Sequence, residues 1–397
     1  MPSLVQDFVA RQLISGEVAR LICTDGRVAS LEPKPSVAPD GWWLAPGLFD
    51  VQVNGFGGVD FQTEAIEAAS LVKAVRALRQ AGCLRFLLTL ITDDWPVLIA
   101  RLKRLRELRN SSVELRSAIA GWHLEGPFLS EEPGYHGAHD PKLMRDPSPT
   151  LMRELRGAAG DLPLLVTLAP ERAGSIEAIS AARACGITVS LGHSNASATV
   201  IKGAMRAGAT GFTHLGNACP QALDRHDNIV WRVLDTRGLQ VGLIPDGRHV
   251  SPALFRLVHR VLSGDSILYT TDAMAAAAAP PGCYRLGRME LKVGADRVVR
   301  QPGKTNFAGS ALTPIEAVFR AASMLEAPWQ DCWRRMSEIP ARWLGLPNGL
   351  TVGESADFCL VRPQFADGRI ELRVFVAGQQ VAECLVDHCG MQGTQPA

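Results

Sequence analysis

Five short segments carry the residues best suited to chemistry, and each follows an apolar run. Glu125 stands in His123-Leu-Glu-Gly-Pro-Phe, His193 in Leu191-Gly-His-Ser-Asn-Ala-Ser and His214 in Phe212-Thr-His-Leu-Gly-Asn-Ala. Asp246 and His249 share Pro245-Asp-Gly-Arg-His, and Asp272 lies in Tyr269-Thr-Thr-Asp-Ala-Met. Two imidazoles and one carboxylate form the three-ligand set of a catalytic zinc-type centre, with a fourth position left for water. A cation so held lowers the pKa of water toward neutrality and polarises a carbonyl. A carboxylate outside the ligand set can accept the water's proton and pass it to a leaving group, and Asp272 is the candidate. The expected chemistry is metal-assisted hydrolysis of an amide or similar bond, with a metal-bound water as nucleophile.

Taken singly, these residues have plainer readings. A histidine after an apolar strand is commonly a hydrogen-bonded structural residue. Asp272 could cap a helix, and Asp246-Gly247 could be only a turn. Their common placement is the signal, because it requires elements that bring them to one face. Eight strand-like runs lie between residues 48 and 272: Leu48–Val53, Leu84–Ile91, Ser117–Leu124, Leu164–Leu168, Ile187–Leu191, Gly211–His214, Leu239–Pro245 and Ser266–Thr271. Helix-like stretches separate most of them, and alternating strand and helix implies a parallel sheet. Eight such units predict an α/β fold, a (β/α)8 TIM-like barrel. Its C-terminal face, where barrel enzymes keep their sites, would gather every residue named above. Helix ends are marked by Arg79-Gln-Ala-Gly-Cys, Arg183-Ala-Cys-Gly-Ile and Arg206-Ala-Gly-Ala, each glycine standing where a left-handed residue stops a helix. Leu71, Val75 and Leu78 form one apolar stripe at helical spacing.

Residues 13–44 and 350–386 read differently, with short β-like pieces around turn signals in Thr24-Asp-Gly-Arg and Val376-Ala-Gly-Gln. They predict a small β-sandwich domain built from both chain ends, residues 1–45 and 346–397, outside a catalytic barrel of residues 46–345. Composition narrows the function class. Of 397 residues 47% are hydrophobic, and 41 Lys and Arg stand against 40 Asp and Glu. That balance gives no general attraction to nucleic acid or an acidic membrane. No apolar run reaches the roughly 18 residues of a membrane span, and the charged start of the chain does not read as a secretory signal. The nine cysteines, Cys389 among them, are scattered without a CxxC pair. Buried reduced thiols in a soluble, cytoplasmic protein are therefore expected.

The motifs resemble the N-acetylglucosamine-6-phosphate deacetylases, a family of the amidohydrolase superfamily. The resemblance spans nearly the whole chain, from Ala45-Pro-Gly-Leu-Phe-Asp-Val-Gln-Val-Asn-Gly through the segments above and Thr167-Leu-Ala-Pro-Glu to Phe307-Ala-Gly-Ser-Ala-Leu-Thr. It implies a barrel of the amidohydrolase type, with Glu125, His193 and His214 as metal ligands and Asp272 as general base and acid. It implies removal of acetate from the 2-acetamido group of a phosphorylated amino sugar. Implied substrate contacts are His139 (in Gly137-Ala-His-Asp-Pro), Asn217, Ala218, Arg225 and His249, with His136 a second candidate in the His139 loop. A homodimer is implied, with Arg225 reaching the phosphate of the neighbouring subunit; a guanidinium can bind two phosphate oxygens at once. Without the resemblance, Arg225 is a solvated loop residue.

Two departures bear on this. Many amidohydrolases place His-x-His after the first strand for a second metal, whereas this chain has Gln52-Val-Asn54. Amides are poor transition-metal ligands beside imidazole and carboxylate, so one divalent metal per subunit is expected. Zinc is the first choice, although iron accepts the same ligands. Gly216 stands where the family usually has an aromatic residue, which alters one wall of the sugar pocket. Rival readings are a deacetylase for N-acetylgalactosamine 6-phosphate, another N-acyl amidohydrolase, and a non-catalytic barrel serving as a binding module.

Overall fold

A computed structural model of the chain describes residues 4–34, 39–303, 307–347, 349–364 and 367–387. Cys389 lies outside these. Eight parallel strands form one sheet in chain order: Leu48–Val53, Cys83–Ile91, Ile119–Glu125, Leu164–Leu168, Thr188–Leu191, Gly211–Phe212, Gln240–Leu243 and Ile267–Tyr269. They correspond one to one with the eight expected runs. Strands covered on both faces read as continuous apolar segments, and Leu164–Leu168 is buried along its whole length. The third strand starts at Ile119 rather than Ser117 because Val113–Ala118 is a short helix, capped by the Ser112 side chain on Leu115 N–H.

The sheet rolls into a nearly closed barrel. A bridge from Val53, at the end of the first strand, to Ala273, just beyond the last, spans the seam. Beside that seam Asp50 accepts from the hydroxyls of Thr270 and Thr271, each at 2.5 Å. Burial pushes the Asp50 carboxyl up to about 6, although the threonine hydroxyls oppose this. Helices between strands cover the outside. Ser148, Asn228 and Ser251 cap three of them through side-chain oxygens, leaving fewer orphan N–H groups. Gly82, Gly186 and Gly208 stop helices at φ of 78°, 68° and 127°, which L side chains rarely adopt. No helix among the described residues is long and apolar enough to cross a membrane.

A second sheet has seven strands, in the order Gln379–Asp387, Arg369–Val376, Phe358–Gln364, Trp43–Pro46, Val5–Gln12, Val18–Thr24 and Arg27–Pro33. Trp43–Pro46 joins the two chain ends, pairing parallel to Val5–Gln12 and antiparallel to Phe358–Gln364. Rings three strands apart in a flat sheet would be roughly 14 Å apart. Phe8 nevertheless meets Phe375 with centroids 5.0 Å apart, so the sheet doubles over its own core. Both expected turns have two successive positive φ values, Asp25-Gly26 and Ala377-Gly378, as a tight hairpin turn demands. The first strand, Val5–Gln12, precedes the expected start at residue 13; its half-exposed residues give no clean alternation.

One element is not foreseen in the sequence. Between the eighth barrel strand and the helix Pro314–Leu325, a three-stranded antiparallel sheet (Gly282–Leu286, Met289–Val293, Val299–Arg300) packs beside the C-terminal mouth of the barrel. Leu286, Leu291, Val293 and Val299 bury against Met274 there.

Candidate active site

The ends of the strands determine which side chains meet. Glu125 is the last residue of the third strand, while His193 and His214 each lie two residues beyond the fifth and sixth. Asp272 follows the eighth. His193, His214 and Asp272 have φ of 50°, 31° and 50°. Left-handed backbone at non-glycine residues costs about 1–3 kcal/mol each and concentrates at functional sites. Here it appears at three of the four residues proposed for the reaction centre.

Glu125 Oε1 is 2.8 Å from His214 Nε2 and 3.3 Å from His193 Nε2. All three side chains are buried, and one ligand atom from each lies within 4.8 Å of the others, a group that could hold a metal ion. The donor set fits a divalent cation. Zinc bonds of about 2.0–2.1 Å at tetrahedral angles separate ligand atoms by about 3.3–3.4 Å, close to the His193 separation. The Nδ1 of His193 lies 3.0 Å from the Tyr135 carbonyl, which only accepts. Nδ1 therefore carries hydrogen and Nε2 presents its lone pair, the orientation typical of a metal-bound histidine.

Charge in this cluster is strongly coupled. Burial alone would raise the Glu125 carboxyl, but the adjacent His193 and His214 rings outweigh it and hold Glu125 well below the usual carboxylate range. Burial lowers His214, yet Glu125 reverses this and raises it. Burial, reinforced by the Glu125 charge, pushes Asp272 up to about 7. The Asp272 Oδ1 accepts from Gln52 Nε2 at 3.0 Å and Asn54 Nδ2 at 2.7 Å. Oδ2 is thus the oxygen left for exchange with a substrate or water. His139 sits with Nε2 3.9 Å from Glu125 Oε2 and Nδ1 2.7 Å from the Thr92 hydroxyl. Burial, with His193 next, drives it down to about 3, leaving a neutral ring.

These groups floor a cavity of about 250 Å³. Asn54, Glu125, His139, His193, His214, Asn217, Ala218, His249 and Asp272 all line it, as does Gly216. Gly216 has φ of 90°, and a Cβ there would come within 3.5 Å of Val250. Three other expected residues lie elsewhere. Gln52 stands behind Asp272 without lining the cavity, and His136 lines an adjacent one, its Nδ1 3.2 Å from the His139 carbonyl. Arg225 is exposed outside its own chain's cavity, its carbonyl accepting from Trp231 Nε1 at 3.3 Å. His139 and Arg225 are therefore not paired within one chain.

The sequence reasoning missed Thr92, the partner of His139, and the outer wall of Leu286, Met289 and Phe307. Thr92 opens a polar Thr-Asp-Asp run directly after the second strand, the same strand-end signal that marked Glu125.

No protein-family model matches the chain. It is 35% identical over 355 residues to N-acetylglucosamine-6-phosphate deacetylase of Danio rerio, covering 85% of this chain and 84% of that protein. It is 30% identical over 368 residues to the Haemophilus influenzae protein of the same name, covering 91% and 92%. Among solved structures it is similar to N-acetyl-D-glucosamine-6-phosphate deacetylase of Mycobacterium smegmatis, a mutant in complex with N-acetyl-D-glucosamine-6-phosphate. The TM-score there is 0.84 at 30% identity, covering 96% of this chain and 99% of that one.

Proposed function

This chain belongs to the N-acetylglucosamine-6-phosphate deacetylase family of the amidohydrolase superfamily, and on that premise we propose that it hydrolyses N-acetylglucosamine 6-phosphate to glucosamine 6-phosphate and acetate. The observation that carries this is the convergence of Glu125, His193 and His214 beside Asp272 on one cavity floor. Glu125, His193 and His214 would hold a divalent cation, which when bound lowers the pKa of a water and polarises a carbonyl.

The chain's own groups do the rest. Asp272 Oδ2 takes a proton from the attacking water as the new C–O bond forms. The same oxygen then returns that proton to the amide nitrogen as the C–N bond breaks, so acetate and a free amine leave. Gln52 and Asn54 keep Oδ1 occupied and the carboxylate in one orientation. The neutral ring of His139, braced by Thr92, faces the same centre and orients the acetamide. Asn217, Ala218 and His249 line the wall for the sugar and its phosphate.

Zinc is our choice of cation because two imidazoles and a carboxylate are its common donors, and one per subunit is expected. We propose a homodimer that supplies Arg225 across the interface. In its favour, no Lys or Arg lines the cavity among the described residues, while a phosphate demands cationic partners. Residues 46–345 would form the catalytic barrel, with 1–45 and 346–397 as the small domain. A cytoplasmic location accords with eight described cysteines that are all free.

Acetate release from N-acetylglucosamine 6-phosphate, with and without a chelator, tests the reading. Release that stops on chelation and returns with added zinc is expected. No release from this sugar phosphate, while its galactosamine epimer or an N-acyl amino acid is cleaved, would replace the substrate.

A further inference from the structure

Beside the three clustered ligands the strands carry polar side chains where barrel interiors are usually filled with branched apolar ones. His123 Nε2 lies 2.8 Å from Thr167 Oγ1, Thr167 Oγ1 lies 2.8 Å from Thr213 Oγ1, and the Thr213 hydroxyl donates to Ser190 Oγ at 2.7 Å. His123, Thr167 and Ser190 stand on the third, fourth and fifth strands, Thr213 directly follows the sixth, and all four are buried. Each hydroxyl has one hydrogen to give. Thr213 gives its own to Ser190, so Thr167 donates to Thr213 and His123 Nε2–H donates to Thr167. The chain therefore runs one way across four neighbouring strands.

Its members adjoin every ligand. His123 is two residues before Glu125 on one strand, so the two side chains share a face. Thr213 immediately precedes His214. Thr167 and Thr213 close on Gly192, the residue before His193, where a Cβ would stand 2.9 Å from Thr167 Cγ2 and 3.1 Å from Thr213 Cβ. The two ligand histidines differ in their other ring nitrogen. His193 Nδ1 donates to the Tyr135 carbonyl, whereas His214 Nδ1 is buried with no hydrogen-bond partner among the described residues. A metal-binding histidine normally has that second bond to fix its ring. His214 must instead take its position from packing and from its own left-handed backbone, φ 31°, for which Thr213 is the adjoining anchor.

We infer that Thr167 and Thr213, with His123 and Ser190 at the ends of the chain, are positioning residues for the cation site. Their hydrogen bonds tie the ends of the third, fifth and sixth strands together, and so hold Glu125, His193 and His214 at binding distance of one another. This rests on the reading above that those three side chains hold a divalent cation; none of the four belongs to the ligand cluster itself. A buried hydrogen-bond chain rigidifies its surroundings while it is complete, and removing one link leaves donors and acceptors stranded out of reach of water.

Zinc affinity of the full-length protein, measured by competition with a chelator, and the visible absorption of its cobalt-substituted form test this. T167V keeps the shape of the side chain but removes the hydroxyl, so His123 Nε2–H and Thr213 Oγ1 both lose a partner. Zinc affinity should fall about 10–100-fold, and the cobalt bands, which report ligand geometry, should shift. T167S returns the hydroxyl and should restore both. Should T167V fail to fold, S190A removes the acceptor at the far end of the chain and meets the same criterion. Wild-type affinity and spectrum in a folded variant, or T167S losing as much as T167V, would overturn the assignment. So would a lower melting temperature of the metal-free chain with unchanged zinc affinity, the mark of a purely structural role. A wild-type chain that takes up no zinc refutes the underlying reading of the cluster instead, before any variant is made.

Discussion

Asn54 Nδ2 donates to Asp272 Oδ1 across the barrel seam at 2.7 Å, and Gln52 Nε2 reaches the same oxygen at 3.0 Å. Two amide N–H groups thus occupy the flank of Asp272 that a second cation beside Gln52 and Asn54 would need. Their positive hydrogens repel a cation there, and amide oxygens are weak ligands for transition metals. Elemental analysis of the purified protein should therefore return one equivalent of divalent metal per chain, and two equivalents would contradict this arrangement.

Asp272 should be dispensable for metal binding and indispensable for turnover. It is not one of the three clustered ligands, yet its free Oδ2 is placed to move the proton. D272N should lower kcat by about 100- to 10,000-fold, the range for a positioned general base, with metal content unchanged. Wild-type turnover in this variant would assign the proton transfer to another group.

The legibility of fold and site in the sequence differs for physical reasons. Barrel strands such as Leu164–Leu168 are buried on both faces and so read as unbroken apolar runs. The strands of the Gly282–Arg300 insertion alternate exposed residues with half-buried or buried ones over five positions or fewer, too short for a clear period. Glu125, His193, His214 and Asp272 are legible because strand ends in a barrel share one face. Pairings such as Thr92 with His139, 47 residues apart, exist only after folding. Nor does sequence reveal that Arg225 lies outside its own chain's cavity, since that depends on the path of an exposed loop.

Gly126 should tolerate no side chain. Its φ is 90°, and a Cβ would stand 2.0 Å from the Thr92 hydroxyl that braces His139. G126A must therefore shift Thr92, Glu125 or both. A loss of about 2–4 kcal/mol in urea unfolding is expected from overpacking and backbone strain, together with weaker metal binding. G157A is the control. Gly157 lies within the helix Pro149–Ala159 with nothing within 4 Å of its would-be Cβ, so alanine there should be neutral or stabilise by up to about 1 kcal/mol. Equal effects of the two substitutions would show that the Thr92 contact does not constrain the site.

Acid should destabilise the fold partly through His259, far from the metal cluster in sequence and on the outer helix Pro252–Val261. Its Nε2 lies 3.1 Å from the Tyr269 hydroxyl, and its ring packs on Phe255. Burial, then the nearby Arg335 charge, drives it down to about 3, against about 6.5 in an unfolded chain. Between those values the unfolded chain binds a proton that the folded one refuses. Stability from this group is therefore complete above about pH 6.5 and is lost as pH falls toward 3, with a slope of at most about 1.4 kcal/mol per pH unit. His123, lowered to about 4 by burial, acts in the same sense, whereas Asp50, raised to about 6, acts in the opposite one. The difference between wild type and H259Q removes both, because glutamine leaves those sites untouched and can still accept from Tyr269. Urea unfolding at pH 7, 6 and 5 should give wild type the steeper acid loss by up to one proton's worth. Parallel stability curves for the two proteins would mean that His259 takes up its proton equally in both states.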